Sequence, residues 1–145
     1  MKGVTLTQPE PDSLMRLGDG EFGLIQRAKT DYRGMIAIHA GLNRSLKRSL
    51  GTSSIHFGVV VGTVEIVDSF HYRAVPVSFQ HLSWAKSFLG WVWLVNNPRR
   101  LREPISLDGS PGLWDWPAGD AILAEREWLE FNEKNPKNPK NPATD

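Results

Sequence analysis

The sequence predicts a small mixed β-barrel with short helices, an α+β fold in which one longer helix follows the strands. Three observations carry this. About six short apolar runs, rich in Val and Ile, are separated by Gly, Pro and Asn signals at intervals of roughly 8–12 residues, the pattern of a small barrel. The best helical periodicity comes late, over Ala118 to Glu133. The 145 residues suffice for one domain with a real core. The expected organisation is a barrel over 1–117, a C-terminal helix packed on it over 118–133, and a disordered tail over 134–145.

Taken in order, Val4-Thr5-Leu6-Thr7 alternates and reads as a first strand. Pro9 and Pro11 open a short helix with Asp12 in its first turn and Leu14, Met15 and Leu17 on its inner face. Gly18, Gly20 and Gly23 then make a loop, and no Gly-Lys-Ser/Thr follows to turn it into a phosphate loop. Leu24 to Arg27 reads as a short strand followed by the polar Ala28 to Asp31. Tyr32 to Gly41 is the central buried strand: a basic, turn-prone start, the apolar Met35-Ile36-Ala37-Ile38, then His39 and a releasing glycine. Asn43 caps an expected helix through Leu50, in which Leu42, Leu46 and Leu50 face inward and Arg44, Lys47 and Arg48 face water.

Phe57 to Val67 is the clearest strand, with Gly58 and Gly62 spaced for a bulge or a close backbone approach. Phe70 to Val77 continues the sheet to an edge at Pro76. Ser78 to Phe88 reads as a helical turn or short helix, and Gly90 to Val95 as another strand that Asn97-Pro98 ends. Arg99 to Leu107 is extended, and Leu113 to Trp116 completes the β region. Asp120 is the expected cap of the last helix, whose stripe is Ala121, Ala124, Trp128 and Phe131. The Lys-Asn-Pro repeats that follow have nothing apolar to bury.

The composition, 40% hydrophobic and 23% charged, is that of an ordinary globular domain. No run approaches the roughly 18–20 apolar residues of a membrane span, and residues 1–7 lack a leader's apolar stretch, so a cytoplasmic protein with no membrane partner is expected. The chain has no cysteine, which excludes disulfides, thiolate zinc sites and a cysteine nucleophile together. A net charge of +1 hides an asymmetry. Residues 22–102 hold eleven Lys/Arg against three acids (Asp31, Glu65 and Asp68), and residues 103–145 hold nine acids against four bases. A basic centre suits an anionic partner.

Several blocks, in order, resemble the ASCH domain, a branch of the PUA-like β-barrels. Leu6-Thr7-Gln8-Pro9 resembles its opening strand and turn, Tyr32-Arg33-Gly34 through Ile38-His39-Ala40-Gly41 its central strand, and Gly62 to Asp68 its "G-x-V-x-L-x-D" strand. Trp93 to Pro98, Pro104-Ile105 and Gly112-Leu113-Trp114 resemble its closing series. The resemblance spans about residues 4–116. It implies a barrel with a groove beside the first helix and RNA, or another single-stranded nucleic acid, as partner. Some members of the family are acetylcytidine amidohydrolases or ribonucleases. The amidohydrolases carry a Gly-x-Lys-Thr-x-Thr/Glu-x-Arg segment after the first helix, with Lys and Thr catalytic. In Gly20 to Arg27 only the glycine and Arg27 match; Phe22 stands in the lysine's place and Gly23 in the threonine's. Glu10-Pro11 replaces the usual Trp-Ala. The resemblance therefore implies binding rather than that hydrolysis.

By chemistry, Arg27, Lys29, Arg33, Arg44, Lys47, Arg48, Arg99, Arg100 and Arg102 are candidate phosphate contacts. Tyr32, Tyr72 and Trp91 are candidate platforms for unpaired bases, and His39 or Asn97 for a base edge. Trp93, Trp114 and Trp128 are expected to pack in the core. His39 reads equally as a general acid or as a structural histidine tied to a backbone group. His56, His71 and His81 lack ligand spacing, so no metal is expected, and nothing points to a cofactor. Glu65 and Asp68 fall on opposite strand faces, against paired acid/base work. The expected function is a nucleic-acid-binding module, RNA before DNA, holding a nucleotide in a basic groove. One alternative is a modified-nucleoside hydrolase or ribonuclease using Lys29, Thr30 and His39. The other is a protein-interaction module acting through the acidic helix around Trp128.

Overall fold

The computed structural model describes residues 1–7, 10–16, 20–41, 57–79 and 90–129. They form six strands: β1 (Lys2–Thr7), β2 (Phe22–Gln26), β3 (Gly34–Gly41), β4 (Val59–His71), β5 (Trp91–Ser106) and β6 (Leu113–Asp115). Two short helices, α1 (Glu10–Leu14) and α2 (Gly119–Ala124), and 3-10 turns at Tyr72–Ala74 and Val77–Phe79 accompany them. The strands make one sheet in the order β2-β5-β4-β3-β1-β6. β1 and β3 run parallel, and every other pair is antiparallel. The sheet curls into a half-barrel, so that its edge strands β2 and β6 both contribute to one cleft.

Strand alternation sorts the side chains into two cores. Val4, Leu6, Ile36, Ile38 and Ala40 take one face of β1 and β3, packed with Leu14, Met15, Leu24, Val64, Ile66 and Trp93. Each large aliphatic sealed there contributes about 1.5–3 kcal/mol relative to exposure. Ala37 takes the opposite face and joins a smaller core with Val60, Leu101, Trp116 and Leu123. Helix α1 is clamped to β5 by a buried carboxylate: Asp12 Oδ1 accepts from Arg100 Nη2 at 2.9 Å, and its Oδ2 lies 3.0 Å from Arg16 Nη2.

Five expectations about elements are corrected. The sheet does not continue over Phe70 to Val77: β4 ends at His71, and 3-10 turns follow at Tyr72–Ala74 and Val77–Phe79. Asp120 does not cap the last helix but lies in its first turn, after an N-cap at Ala118 that makes no side-chain cap bond. Asn97-Pro98 does not end a strand: β5 runs on to Ser106 through a bulge, where the ladder with β4 shifts register and Asn97 takes φ 52°. Proline cannot donate to the ladder, and the bulge lets the strand pass it. Gly62 faces this region so closely that an added Cβ would overlap the Arg99 carbonyl. Gly23 lies inside β2, opposite Leu94, rather than in a loop. The final helix is short: α2 stops at Ala124, and Trp128 instead bridges Leu101. Backbone pairing wins there, because Arg102 N–H donates to Glu127 O at 3.0 Å and Leu129 N–H to Arg100 O at 2.9 Å. The helix expected over 43–50, most of that over 78–88, Phe131 and the tail over 134–145 lie outside the described residues.

Candidate functional site

A cleft of about 1140 Å³ opens where the half-barrel's two edges approach each other. One wall is the end of β2 and the strap after it, from Ile25 to Thr30. The other is the C-terminal ends of β1 and β3 (Thr5, Thr7, His39, Gly41) with the loop from Gly109 to Leu113; Gly90 and Trp93 complete the lining.

The strap is held at several points. Trp93 Nε1–H donates to Ala28 O at 2.8 Å, and Thr30 N–H donates to Ser69 Oγ at 3.2 Å. Thr30, 8% exposed, takes Tyr32 N–H on its hydroxyl at 3.1 Å. Arg33 Nη1 donates to the Thr30 and Tyr32 carbonyls, both at 2.9 Å, and its Nη2 lies 3.6 Å from Asp68 Oδ1. With the backbone pinned from beneath, Arg27 and Lys29 are left exposed on the cleft. Neither forms an ion pair among the described residues.

On the far wall, His39 is 4% exposed and sits opposite Thr5 in the parallel pair. Its Nε2 bonds Leu107 O at 2.5 Å, and a carbonyl only accepts, so the proton is on Nε2. Nδ1 is then free to accept from the Thr5 hydroxyl, 3.4 Å away, whose oxygen accepts from Trp114 Nε1–H at 3.0 Å. The Trp114 ring meets His39 edge-on at 5.9 Å. Gly109 lies so close that a Cβ there would be 2.5 Å from His39 Nδ1. Of the two readings of His39, the geometry matches the structural one: the ring anchors the loop over the cleft.

Several of the remaining described candidates serve the chain's own groups. Arg33 staples the strap's turn, Arg100 holds Asp12, and the Arg99 guanidinium lies 4.2 Å from the Trp128 ring centroid. Arg102 Nε is 3.4 Å from Glu127 Oε2. Tyr32 packs against the main core and donates its hydroxyl to Met35 O at 2.9 Å. Asn97 is exposed at the bulge, and Arg44, Lys47 and Arg48 lie outside the described residues. The cleft thus gathers Arg27, Lys29, Thr30 and His39 from the candidates and leaves out Arg33, Asn97, Arg99 and Arg100. Sequence reasoning missed Thr5, Thr7, Gln26 and the Gly109–Gly112 loop. The turn-rich run Asp108-Gly109-Ser110-Pro111-Gly112 between two strands was the available signal, since binding residues concentrate on such loops. Desolvation raises the Glu10 carboxyl above 4.5 at the start of α1, and Lys2 lowers that of Asp115; neither group lines the cleft. No cluster of His, Asp and Glu that could hold a metal occurs among the described residues, and none of their helices is long and apolar enough to cross a membrane.

The six curled strands form a half-barrel with the cleft at its edges, and this fold is the one seen in solved ASCH structures. In particular, the fold is similar to the crystal structure of an ASCH protein from Zymomonas mobilis, with a TM-score of 0.52 and 13% sequence identity over 89% of this chain and 97% of that one. A tyrosine-to-phenylalanine variant structure from the same organism gives 0.51 and 13%, over 87% and 98%. No family model and no curated protein matches the sequence.

Proposed function

We propose that this chain is an RNA-binding module that holds one unpaired nucleotide in the cleft between the β2 strap and the Gly109–Leu113 loop. The observation that carries the reading is the pairing of two exposed cations, Arg27 and Lys29, with a backbone pinned beneath them and a cleft large enough for a nucleotide. Ligand pockets of about 300–1000 Å³ enclose small molecules; this one, open and slightly larger, suits a segment of a polymer. Arg27 and Lys29 contact phosphate, Ile25, Pro111 and Leu113 offer apolar wall, and Thr7, Gln26 and Ser110 offer hydrogen bonds to base or ribose. The ASCH-type fold supports the choice of RNA.

The test is a salt titration of labelled oligouridylate binding by fluorescence anisotropy. On single strands each phosphate contact contributes a slope of about 0.7 in log affinity against log salt. Arg27→Ala/Lys29→Ala should therefore flatten the slope by about 1.4, which between about 50 and 200 mM salt is roughly a sevenfold smaller loss of affinity than the wild type shows. No binding by the wild type at low salt would end the reading.

A second reading, hydrolysis of a modified nucleoside or of RNA, is favoured by the exposed Lys29 on the cleft, which also holds Thr30 and His39, although the chain's own groups engage both of these. Product analysis after incubation with acetylcytidine and with structured RNA separates the two. Turnover that Lys29→Ala abolishes would replace binding by catalysis.

A further inference from the structure

The lining residue Gln26 pairs with Trp91, and Trp91 pairs with His71, so β2, β5 and β4 carry one row across the end of the sheet. Directly opposed residues share a face, and Trp91 packs against the same apolar cluster as Trp93, a lining residue of the cleft. His71 meets Trp91 edge-to-face, with ring centroids 5.3 Å apart and planes at 87°. The Tyr72 ring lies 4.5 Å from that of His71, tilted by 37°. Main chain ties this group to the cleft rim, because Tyr72 N–H donates to Gly90 O at 3.1 Å. Arg73 completes it. Its guanidinium carbon is 5.4 Å from the Tyr72 centroid, its Nε–H donates to the phenol oxygen at 2.9 Å, and its backbone N–H donates to His71 Nδ1 at 3.2 Å.

His71, Tyr72 and Trp91 are half-buried rather than sealed, and Arg73 is exposed. Rings used only for packing would turn their faces inward; here three rings keep part of their surface in water beside a cation. Together with Arg27 and Lys29 on the adjoining strap, Arg73 outweighs Asp31, the acid that follows the strap. Aromatic faces bordered by arginine are what successive bases of a single strand stack on.

We propose that His71, Tyr72 and Trp91 form a stacking shelf for the nucleotide next to the one in the cleft, with Arg73 beside the linking phosphate. The ligand is then a single-stranded RNA segment of at least two nucleotides, not a free nucleoside. This rests on the reading of the cleft given above.

Calorimetric titration of the full chain with uridine monophosphate, the uridine dinucleotide and hexauridylate tests it. The wild type should bind the dinucleotide more tightly than the mononucleotide. Tyr72→Ala should weaken dinucleotide and hexanucleotide binding by about 5- to 150-fold, the effect of removing one stacked base, and leave the mononucleotide unchanged. Tyr72→Phe keeps the ring and should keep most of the affinity. If Tyr72→Ala melts below the wild type, His71→Ala takes its place with the same expected pattern. Equal binding of mono- and dinucleotide by the wild type, or hexauridylate binding undiminished in the alanine variant, would overturn the shelf and leave the cleft standing. A wild type that binds none of the three would remove both.

Discussion

Gly109→Ala asks whether the cleft's outer wall is held by His39. An alanine Cβ would sit 2.5 Å from His39 Nδ1, 2.6 Å from Thr5 Oγ1 and 2.7 Å from His39 Cε1. Gly109 is not among the glycines with positive φ, so alanine brings the contact without backbone strain. The ring cannot step aside, because Leu107 O holds one nitrogen and Trp114 closes the edge. The loop must lift instead. Lifting it breaks the Nε2–H bond to Leu107 O and leaves a nearly buried donor unpaired, at about 1–3 kcal/mol. Residual crowding adds about 1 kcal/mol, so the expected loss is about 2–4 kcal/mol, or about 6–12 °C in Tm for a chain of this size. Urea denaturation followed by tryptophan fluorescence measures it, with an unchanged m-value expected. Ser110→Ala, one residue along and exposed, should stay within about 0.5 kcal/mol of the wild type. RNA affinity should fall in Gly109→Ala as the wall moves. A stability loss below about 0.5 kcal/mol would show that the loop floats free of the histidine, and the anchor assigned to His39 would be refuted.

Two further outcomes concern the helix that packs under the sheet. Asp12→Asn removes the charge that Arg100 and Arg16 share, and should cost about 2–3 kcal/mol in urea denaturation; Arg100 keeps some contact with water, which places the value below the about 3–5 kcal/mol of a fully buried pair. Glu10→Gln should raise stability at neutral pH. Burial lifts the folded carboxyl above 4.5, so as pH rises the unfolded chain releases its proton first and the folded state loses stability through that window. Below about pH 4 both states are protonated and the variant's advantage should vanish; a pH-independent difference in Tm would contradict this.

Local signals made the strands legible. Ile36-Ala37-Ile38 between glycines is strand β3 because a short β-branched run with turn residues at both ends has one economical use. Val59 to Val67 was equally plain. The second half of β5 was harder to read, since Asn97-Pro98 is a stop signal in isolation and only the facing strand β4, with its own register shifts, carries the ladder past it. Trp128 fitted a helical stripe just as well as the bridge it makes with Leu101.

For the site, the amino-acid order determined which groups were available: the basic centre, the aromatic residues and a histidine at a strand's end. Which cations face the cleft was a tertiary decision. Arg33, Arg99 and Arg100 look identical to Arg27 along the chain, yet carbonyls, an indole and a carboxylate occupy them. The partners are remote: Asp12 and Arg100 are 88 positions apart, and Thr5 and Trp114 are 109. Charge and periodicity are properties of neighbours in sequence, whereas neutralisation and anchoring are properties of neighbours in space, and the curl of the sheet sets the latter.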